Sequence, residues 1–521
     1  MIYRAVGNTR LVVSALAVGT ASLRLVPEKQ AIATLVAAFR AGVNLVHTAP
    51  DYEGADELVR LALQECSPPV PVAVATNAWG TAEWCERVFE ETCRRFGTER
   101  LELFGIASLY DREKLGDNVW GAGGLVEFLQ RKKAEGRLTA AFCSTHGPAD
   151  HTAALIRRGV FDAVMLAWNP LQFHLLSYNP STLGSVLGAA TGSDWRFEDL
   201  RRVESEVFAA ARETGTGLLV MKPLAGGLLA HGRAFTVRAG MPAPRPGVRP
   251  AAILRTILAR EEVCAVVPGM AHPDEVAENL GACEPSSAGE TETVWQAAQS
   301  LAREWCSRCG ECDGTCRKGL PLSWLFRAAY LHLFPSVTHE LDDRLTFAAL
   351  HPESRTACLD CQDPTCRCPS GLTIQDELPR LHRGVAALRR QGQWPATPPA
   401  SPPVRPWDCR VVYCDLPETL PAGGEAILRI FLENTGSAGW WASPGPDHSC
   451  VRLSVAMDGT WVATLAPRVD VPPGGRVHFV VSLHAPARVG PCRLVLALGE
   501  VGAAPFGPAG AENLAYTIEI V

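Results

Sequence analysis

Along residues 1–290, short apolar runs alternate with segments of helical period. The runs are Ala15–Gly19, Val43–Ala49, Val72–Asn77, Leu101–Ser108, Leu138–Thr145, Ala163–Trp168, Gly217–Leu224 and Cys264–Met270. Each is followed by a stretch that reads as a helix, such as Lys29–Ala41, Ala82–Phe96, Leu125–Glu135 and Phe197–Thr214. A strand that is apolar on both faces needs cover on both faces, which a helix-wrapped parallel sheet provides. Eight such units predict a (β/α)8 TIM barrel over residues 1–290. An open doubly wound sheet is the second reading. It is disfavoured because no GxGxxG follows the first run.

The pattern then changes twice. Residues 291–393 hold short helical segments and a dense set of cysteines. Residues 394–407, WPATPPASPPVRPW, form a Pro-rich linker expected to be stiff and extended. From residue 408 to 521 short alternating runs appear at Ala426–Glu433, Val451–Met457, Arg476–Leu483 and Cys492–Leu498. Turn residues such as Pro472-Pro473-Gly474-Gly475 separate them, which predicts a C-terminal β-sandwich.

At 521 residues the chain exceeds one hydrophobic core, consistent with several domains. Its 47% hydrophobic and 20% charged residues are those of a soluble globular protein. No apolar run approaches the ~18–20 residues a bilayer requires, and Met1–Ser14 has no signal-peptide core. A cytoplasmic location is expected. The net charge of −6 and the lack of a basic stripe argue against a nucleic-acid partner.

Of eighteen cysteines, eight fall between 306 and 368. In a large chain without an export signal, such spacing points to metal rather than disulfides. Cys306-x2-Cys309-x2-Cys312-x3-Cys316 has the bacterial ferredoxin ligand spacing, with Arg317 where a proline usually follows. Soft thiolates on one short loop can wrap three corners of a [4Fe–4S] cubane. The second run, Cys358-x2-Cys361-x4-Cys366-x-Cys368, is irregular. Pro364 stands where a thiol would fall, and Cys366 is displaced by two positions. Two [4Fe–4S] clusters are expected. If the ligands cross over, one takes Cys306, Cys309, Cys312 and Cys368, and the other takes Cys358, Cys361, Cys366 and Cys316. Zinc is the alternative, as is a three-cysteine or altered cluster in the second run.

Several motifs place the barrel in a family. They are Tyr3-Arg4, Gly7, Val13-Ser14 and Gly19-Thr20 near the start, then Gly42-Val43-Asn44, Thr48-Ala49 and Tyr52. Ser144-Thr145-His146-Gly147, Trp168-Asn169, Met221-Lys222-Pro223-Leu224-Ala225-Gly226-Gly227 and Val267-Pro268-Gly269-Met270 with Glu278-Asn279 complete the set. Residues 1–385 resemble the aldo/keto reductases, specifically the subfamily with a C-terminal ferredoxin-like domain. The resemblance implies hydride transfer between a nicotinamide cofactor and a small carbonyl or alcohol. It also implies an Asp, Tyr, Lys, His tetrad in which Tyr acts as proton donor, tuned by Lys and Asp. A redox partner protein is a further implication.

The chain departs from that tetrad. Tyr52 matches, but His47 replaces the Asp, Asn77 replaces the Lys, and the His position falls on Ala107 or Ser108. Two readings of His47 stand: protonated, it substitutes in part for the missing cation, or it and Tyr52 are rim residues of a degenerate pocket. Ser144, Thr145, Lys222, Gly269, Met270 and Asn279 occupy stretches that hold NAD(H) or NADP(H) in the family. Glu275 stands where many NADPH-using members carry an Arg, so NAD(H) is favoured, and Met165 stands where many use Gln. His146 and His174 follow the fifth and sixth runs and are candidates for the barrel mouth. The alternative function is a catalytically degenerate barrel that serves as an electron-transfer or interaction scaffold. Residues 408–521 resemble immunoglobulin-like accessory domains through Asn434-Thr435-Gly436 and Trp440-Trp441.

Overall fold

The structure is a computed structural model. It describes residues 1–52, 54–78, 80–107, 109, 117–145, 147, 149–170, 202–225, 229, 247–306, 310–320, 322–323, 325–326, 361–390, 408–414, 419–441, 450–467, 470–473, 475–500 and 515–521. His146, Ser108, His174, Cys309, Cys358 and the 394–407 linker lie outside the described residues. The chain divides into two compact units: Met1–Ser22 with Ile32–Gln393, and Leu23–Ala31 with Trp394–Val521.

The first unit opens with a two-stranded antiparallel hairpin, β1 (Tyr3–Ala5) and β2 (Val12–Ser14). Eight parallel strands follow: β3 (Val18–Gly19), β4 (Leu45–Thr48), β5 (Ala73–Ala78), β6 (Leu101–Ile106), β7 (Leu138–Thr145), β8 (Ala163–Ala167), β9 (Gly217–Met221) and β10 (Val263–Val267). They lie in sequence order in one sheet. The two edges meet through parallel bridges Leu16↔Val266 and Gly19↔Gly269, so the sheet nearly closes into a barrel. Helices intervene between strands. They are α1 (Glu28–Arg40), α2 (Ala55–Glu65), α3 (Ala82–Phe96), α4 (Asp117–Trp120), α5 (Leu125–Ala134), α6 (Ala149–Arg157), α7 (Ala209–Thr214), α8 (Pro250–Leu258) and α9 (Pro273–Leu280).

Local sequence explains the boundaries. Helix α3 starts where the Thr81 hydroxyl accepts the Trp84 N–H at 3.2 Å, and it stops at Gly97, whose φ of +65° suits glycine. Alternate residues of the strands point inward: Ala17, Leu45, Ala75, Leu103, Phe142, Met165, Leu219 and Ala265 share one buried core. Their neighbours pack under the helices. That two-sided burial is why the strands read as unbroken apolar runs.

Two further helices, α10 (Glu290–Glu304) and α11 (Ile374–Arg390), belong to the same unit and bracket the cysteine region. In the second unit β11 (Cys409–Cys414), β13 (Glu425–Asn434) and β16 (Arg476–His484) form one sheet. A second sheet runs β12 (Thr419–Leu420), β18 (Ala515–Ile520), β17 (Gly490–Glu500), β14 (Val451–Met457) and β15 (Thr460–Leu465). Residues of both sheets, among them Leu428, Ile430, Leu432, Leu453, Phe479 and Leu496, share one core around the fully buried Trp440. No described helix is long and apolar enough to cross a membrane.

Candidate functional site

The inward parity of the strands carries His47 on β4, Asn77 on β5 and Ser144 on β7 to the C-terminal end of the barrel interior, all buried. The Asn77 amide Nδ2 donates to Ser144 Oγ at 3.1 Å. This bond spans β6, and it can do so because the residue of β6 in register with Asn77 is Gly105. The Phe142 ring takes the vacated space; a Cβ on Gly105 would come within 2.8 Å of that ring and 2.7 Å of the Phe142 carbonyl oxygen. His47 sits edge-on to both Phe142 (centroids 6.1 Å) and Tyr52 (5.9 Å). Tyr52 ends a short 3-10 turn, Pro50–Tyr52, directly after β4.

The same packing sets the charge state of His47. Burial pushes its pKa down from 6.5 to about 4, against the opposing hydrogen bond from the Asn77 side chain. Of the two readings of His47, the protonated one does not fit this burial: the ring is neutral at pH 7. Its Nε2 is buried and has no hydrogen-bond partner among the described residues. Nearby Cys143 is also fully buried, with its thiol pKa pushed up by desolvation, so it is an inert packing residue.

The layer leaves little slack. Gly105→Ala is expected to destabilise the protein by about 1–3 kcal/mol through overpacking against Phe142. A urea denaturation midpoint equal to that of the parent would refute this.

The loops supply the other candidates. Ser144 and Thr145 point to opposite faces of β7, and the Thr145 hydroxyl accepts the Gly147 N–H at 3.0 Å rather than facing Asn77. After β9, Lys222 and Ala225 hold left-handed φ values of +53° and +50°, unusual for non-glycine residues and a mark of a loop held in a demanding shape. After β10, a Cβ on Gly269 would come within 2.8 Å of Ser22 Oγ, so glycine lets this loop lie against the β3 side of the barrel. Met270 and Asn279 are buried, and Met165 lies in the barrel core. Glu275 has a structural role that sequence spacing did not reveal. Its carboxylate accepts the N–H groups of Ala271 (2.6 Å) and His272 (3.2 Å), closing a capping box on α9. Those donors are thus already committed to a carboxylate.

The cysteine region is knitted across its two runs. Thr365 Oγ1 donates to the Thr315 carbonyl at 2.7 Å and accepts the Arg317 N–H at 2.9 Å. Thr315 Oγ1 accepts the Arg367 N–H at 3.1 Å, and Arg317 pairs with Asp363. This accounts for the arginine after Cys316, since a proline there has no N–H to give Thr365. It also places the longer gap between Cys361 and Cys366, which carries Thr365. Cys316, Cys361 and Cys366 line one cavity of about 60 Å³, with Pro364 in its wall. Burial, and then the neighbouring Cys316 and Cys361 sulfurs, push the Cys366 thiol pKa up. Cys312 is buried, while Cys306 and Cys368 are partly exposed. Among the described residues, no three His, Cys, Asp or Glu side chains converge closely enough to share one metal ion.

Residues 15–296, more than half of the chain, match the model of the aldo/keto reductase family. The chain belongs to the aldo/keto reductase family. An aldo-keto reductase from Bacillus halodurans, in its holo form, is 19% identical over 57% of this chain and 96% of its own, with a TM-score of 0.44. A Pseudomonas aeruginosa protein assigned to the aldo-keto reductases is 21% identical over 58% of this chain and 96% of its own, with a TM-score of 0.37. Comparison with curated proteins returns no match. As an aldo/keto reductase, the protein carries a neutral imidazole at residue 47 and a neutral amide at residue 77. Motif order in the sequence points to both residues. It missed the bond from Asn77 to Ser144, whose only sequence signal is the glycine at 105.

Proposed function

We propose that the protein is an iron–sulfur oxidoreductase of the aldo/keto reductase type. It acts on a small carbonyl or alcohol substrate with NAD(H), and has electron transfer through two [4Fe–4S] clusters. The observation that carries the iron–sulfur part is the cavity shared by Cys316, Cys361 and Cys366. A single zinc ion needs its thiolates about 2.3 Å from one centre. Thiols that line one common space suit a cubane, in which each thiolate meets its own iron. Cys316, Cys361 and Cys366 with Cys358 would hold one cluster, and Cys306, Cys309, Cys312 and Cys368 the other. When bound, such clusters supply one-electron transfer.

At the barrel mouth, Tyr52 holds a proton for the substrate oxygen. With His47 neutral, the neighbouring imidazole supplies no positive charge to draw that proton off, and the phenol serves as a hydrogen-bond donor. The Lys222–Ala225 loop and the Gly269-Met270 turn would hold the nicotinamide cofactor. The Glu275 carboxylate at the start of α9 supports NAD(H) over NADP(H), because a 2′-phosphate there would meet a like charge and backbone donors already taken. Anaerobic titration of cluster-replete protein is expected to give NADH at least about tenfold tighter binding than NADPH, with Glu275→Ala narrowing the gap. Failure of both cofactors to bind would sink the nicotinamide-dependent reading. A Tyr52→Phe variant that kept full turnover would remove Tyr52 from the chemistry.

The second reading is the degenerate scaffold, favoured by the neutral pair His47 and Asn77 where the family places charged groups. The same titration decides between them. We read the C-terminal unit as an immunoglobulin-like β-sandwich that serves docking or packing, and the protein as cytoplasmic with a redox partner protein.

A further inference from the structure

Both cysteine runs contain the tripeptide Thr-Cys-Arg: Thr315-Cys316-Arg317 in the first and Thr365-Cys366-Arg367 in the second. The two copies clasp each other. The Arg317 N–H donates to the Thr365 hydroxyl at 2.9 Å, and the Arg367 N–H donates to the Thr315 hydroxyl at 3.1 Å. The bonds are reciprocal, so the tripeptides run antiparallel with a cysteine at the centre of each. Each hydroxyl is used twice. Thr365 Oγ1 also donates to the Thr315 carbonyl at 2.7 Å, and Thr315 Oγ1 donates to the Cys312 carbonyl at 2.6 Å. The remaining backbone groups are also tied. Gln375 Nε2 donates to the Cys366 carbonyl at 3.1 Å, and the Gly319 N–H donates to the Cys316 carbonyl at 2.8 Å. Cys316 and Cys366 line one cavity together with Cys361. All of these bonds join protein atoms, so the grouping does not depend on what the thiols hold.

We propose that Thr315 and Thr365 are positioning residues that hold Cys316 and Cys366 side by side before any cluster is bound. This deepens the iron–sulfur reading and rests on it for the group the thiols receive. The physical reason is chain entropy. A metal site is commonly closed by the metal itself, which gathers its ligands from a loose chain. Drawing one ligand from a distant run makes that loop closure more costly. Here hydrogen bonds close the loop first. A single exposed hydrogen bond adds little to stability. Three of them between the same two tripeptides, on both flanks of both cysteines, act as a unit. The clasp sets two requirements on the sequence. Residue 365 must donate and accept at once, which a hydroxyl does, and residue 317 must carry an N–H, which proline lacks. A site built in this way keeps its thiols grouped after cluster loss and can be reloaded without refolding.

The test uses the metal-free, reduced, full-length protein under anaerobic conditions. Dibromobimane, a short reagent that joins two neighbouring thiols, is added, and the linked peptides are identified by mass spectrometry. The expected product joins Cys316 to Cys366 or Cys361, across the two runs. Thr365→Val keeps the side-chain shape but loses the hydroxyl, and is expected to slow this product at least about tenfold. Thr365→Ser is expected to restore it. Arg317→Pro removes the N–H and is expected to slow it as well. The link between Cys361 and Cys366, within the second run, is the internal reference and should keep its rate. The proposal is overturned by any of three results: no cross-run product in the parent, equal slowing of both links in Thr365→Val, or no recovery in Thr365→Ser. An unchanged cross-run rate in Thr365→Val overturns it too. Iron uptake separates this outcome from the cluster reading. The expected cross-run pattern with no iron uptake refutes the clusters and leaves the clasp standing. Full iron uptake by a protein that gives no cross-run product when metal-free does the reverse.

Discussion

Replacing Cys366 with serine is expected to lower iron from about eight to about four atoms per chain in the anaerobically reconstituted protein. Cys316→Ser should do the same, although it lies in the other cysteine run. The reason is the shared cavity: Cys316 and Cys366 face one space together with Cys361, fifty residues apart in sequence but joined by the Thr365 bonds to Thr315 and Arg317. The double variant Cys316→Ser/Cys366→Ser separates the two ligand assignments. If ligands cross between runs, both substitutions strike one cluster and about four irons remain. If each run holds its own cluster, both clusters lose a ligand and iron falls toward zero. Cys312→Ser with Cys366→Ser is the converse control, expected to empty both sites under the crossed assignment. Stoichiometric zinc in place of iron would overturn the cluster reading altogether.

The Arg317 clasp also shows what a motif search discards. Against the ferredoxin spacing, Arg317 for proline and the displaced Cys366 read as two separate defects. In three dimensions they are one feature. The displacement of Cys366 leaves room for Thr365, which reaches Thr315, and the backbone N–H that proline would lack completes the tie. Nothing in the local sequence of either run signals a partner forty-eight residues away.

The barrel was legible for the opposite reason. Strands β3 to β10 are buried on both faces, so composition alone marks them, and the helix over Ala82–Phe96 has both its caps in the sequence. The hairpin β1–β2 was not legible, because three-residue strands are too short to show a period. Strand β15 was missed because most of it is exposed, Trp461 and Val462 included, and so it lacks alternation. At the site, the positions of His47, Asn77 and Tyr52 were readable from motif order. The charge state of His47 was left open by motif order, and burial decides it, as the almost wholly apolar run Val43–Ala49 around it suggests. The Asn77–Ser144 bond depends on a missing side chain on an intervening strand, which no pairwise spacing encodes.

Acidification from pH 7 to pH 4 is expected to destabilise the parent protein by about 3 kcal/mol more than it destabilises His47→Gln. The sign follows from where the proton goes. In the unfolded chain His47 takes a proton as pH falls through 6.5, whereas in the folded protein burial delays this to about 4. Between those values the unfolded state binds more protons, so stability is full above pH 6.5 and declines as pH drops toward 4. At about 1.4 kcal/mol per pH unit, that window amounts to the stated difference. Carboxylates add their own acid loss. Glu90, held down to about 2 chiefly by Arg137, contributes stability that fades as pH falls from 4.5 toward 2. That loss is common to both proteins and cancels in the comparison. Urea midpoints measured at half-unit intervals of pH should therefore draw together for parent and variant as pH falls. Parallel curves would mean that His47 titrates normally and is reached by water. The outcome bears on chemistry as well as stability. A ring that refuses a proton down to pH 4 cannot be the cation that activates Tyr52, so whatever reaction the barrel performs near neutrality must proceed beside a neutral imidazole.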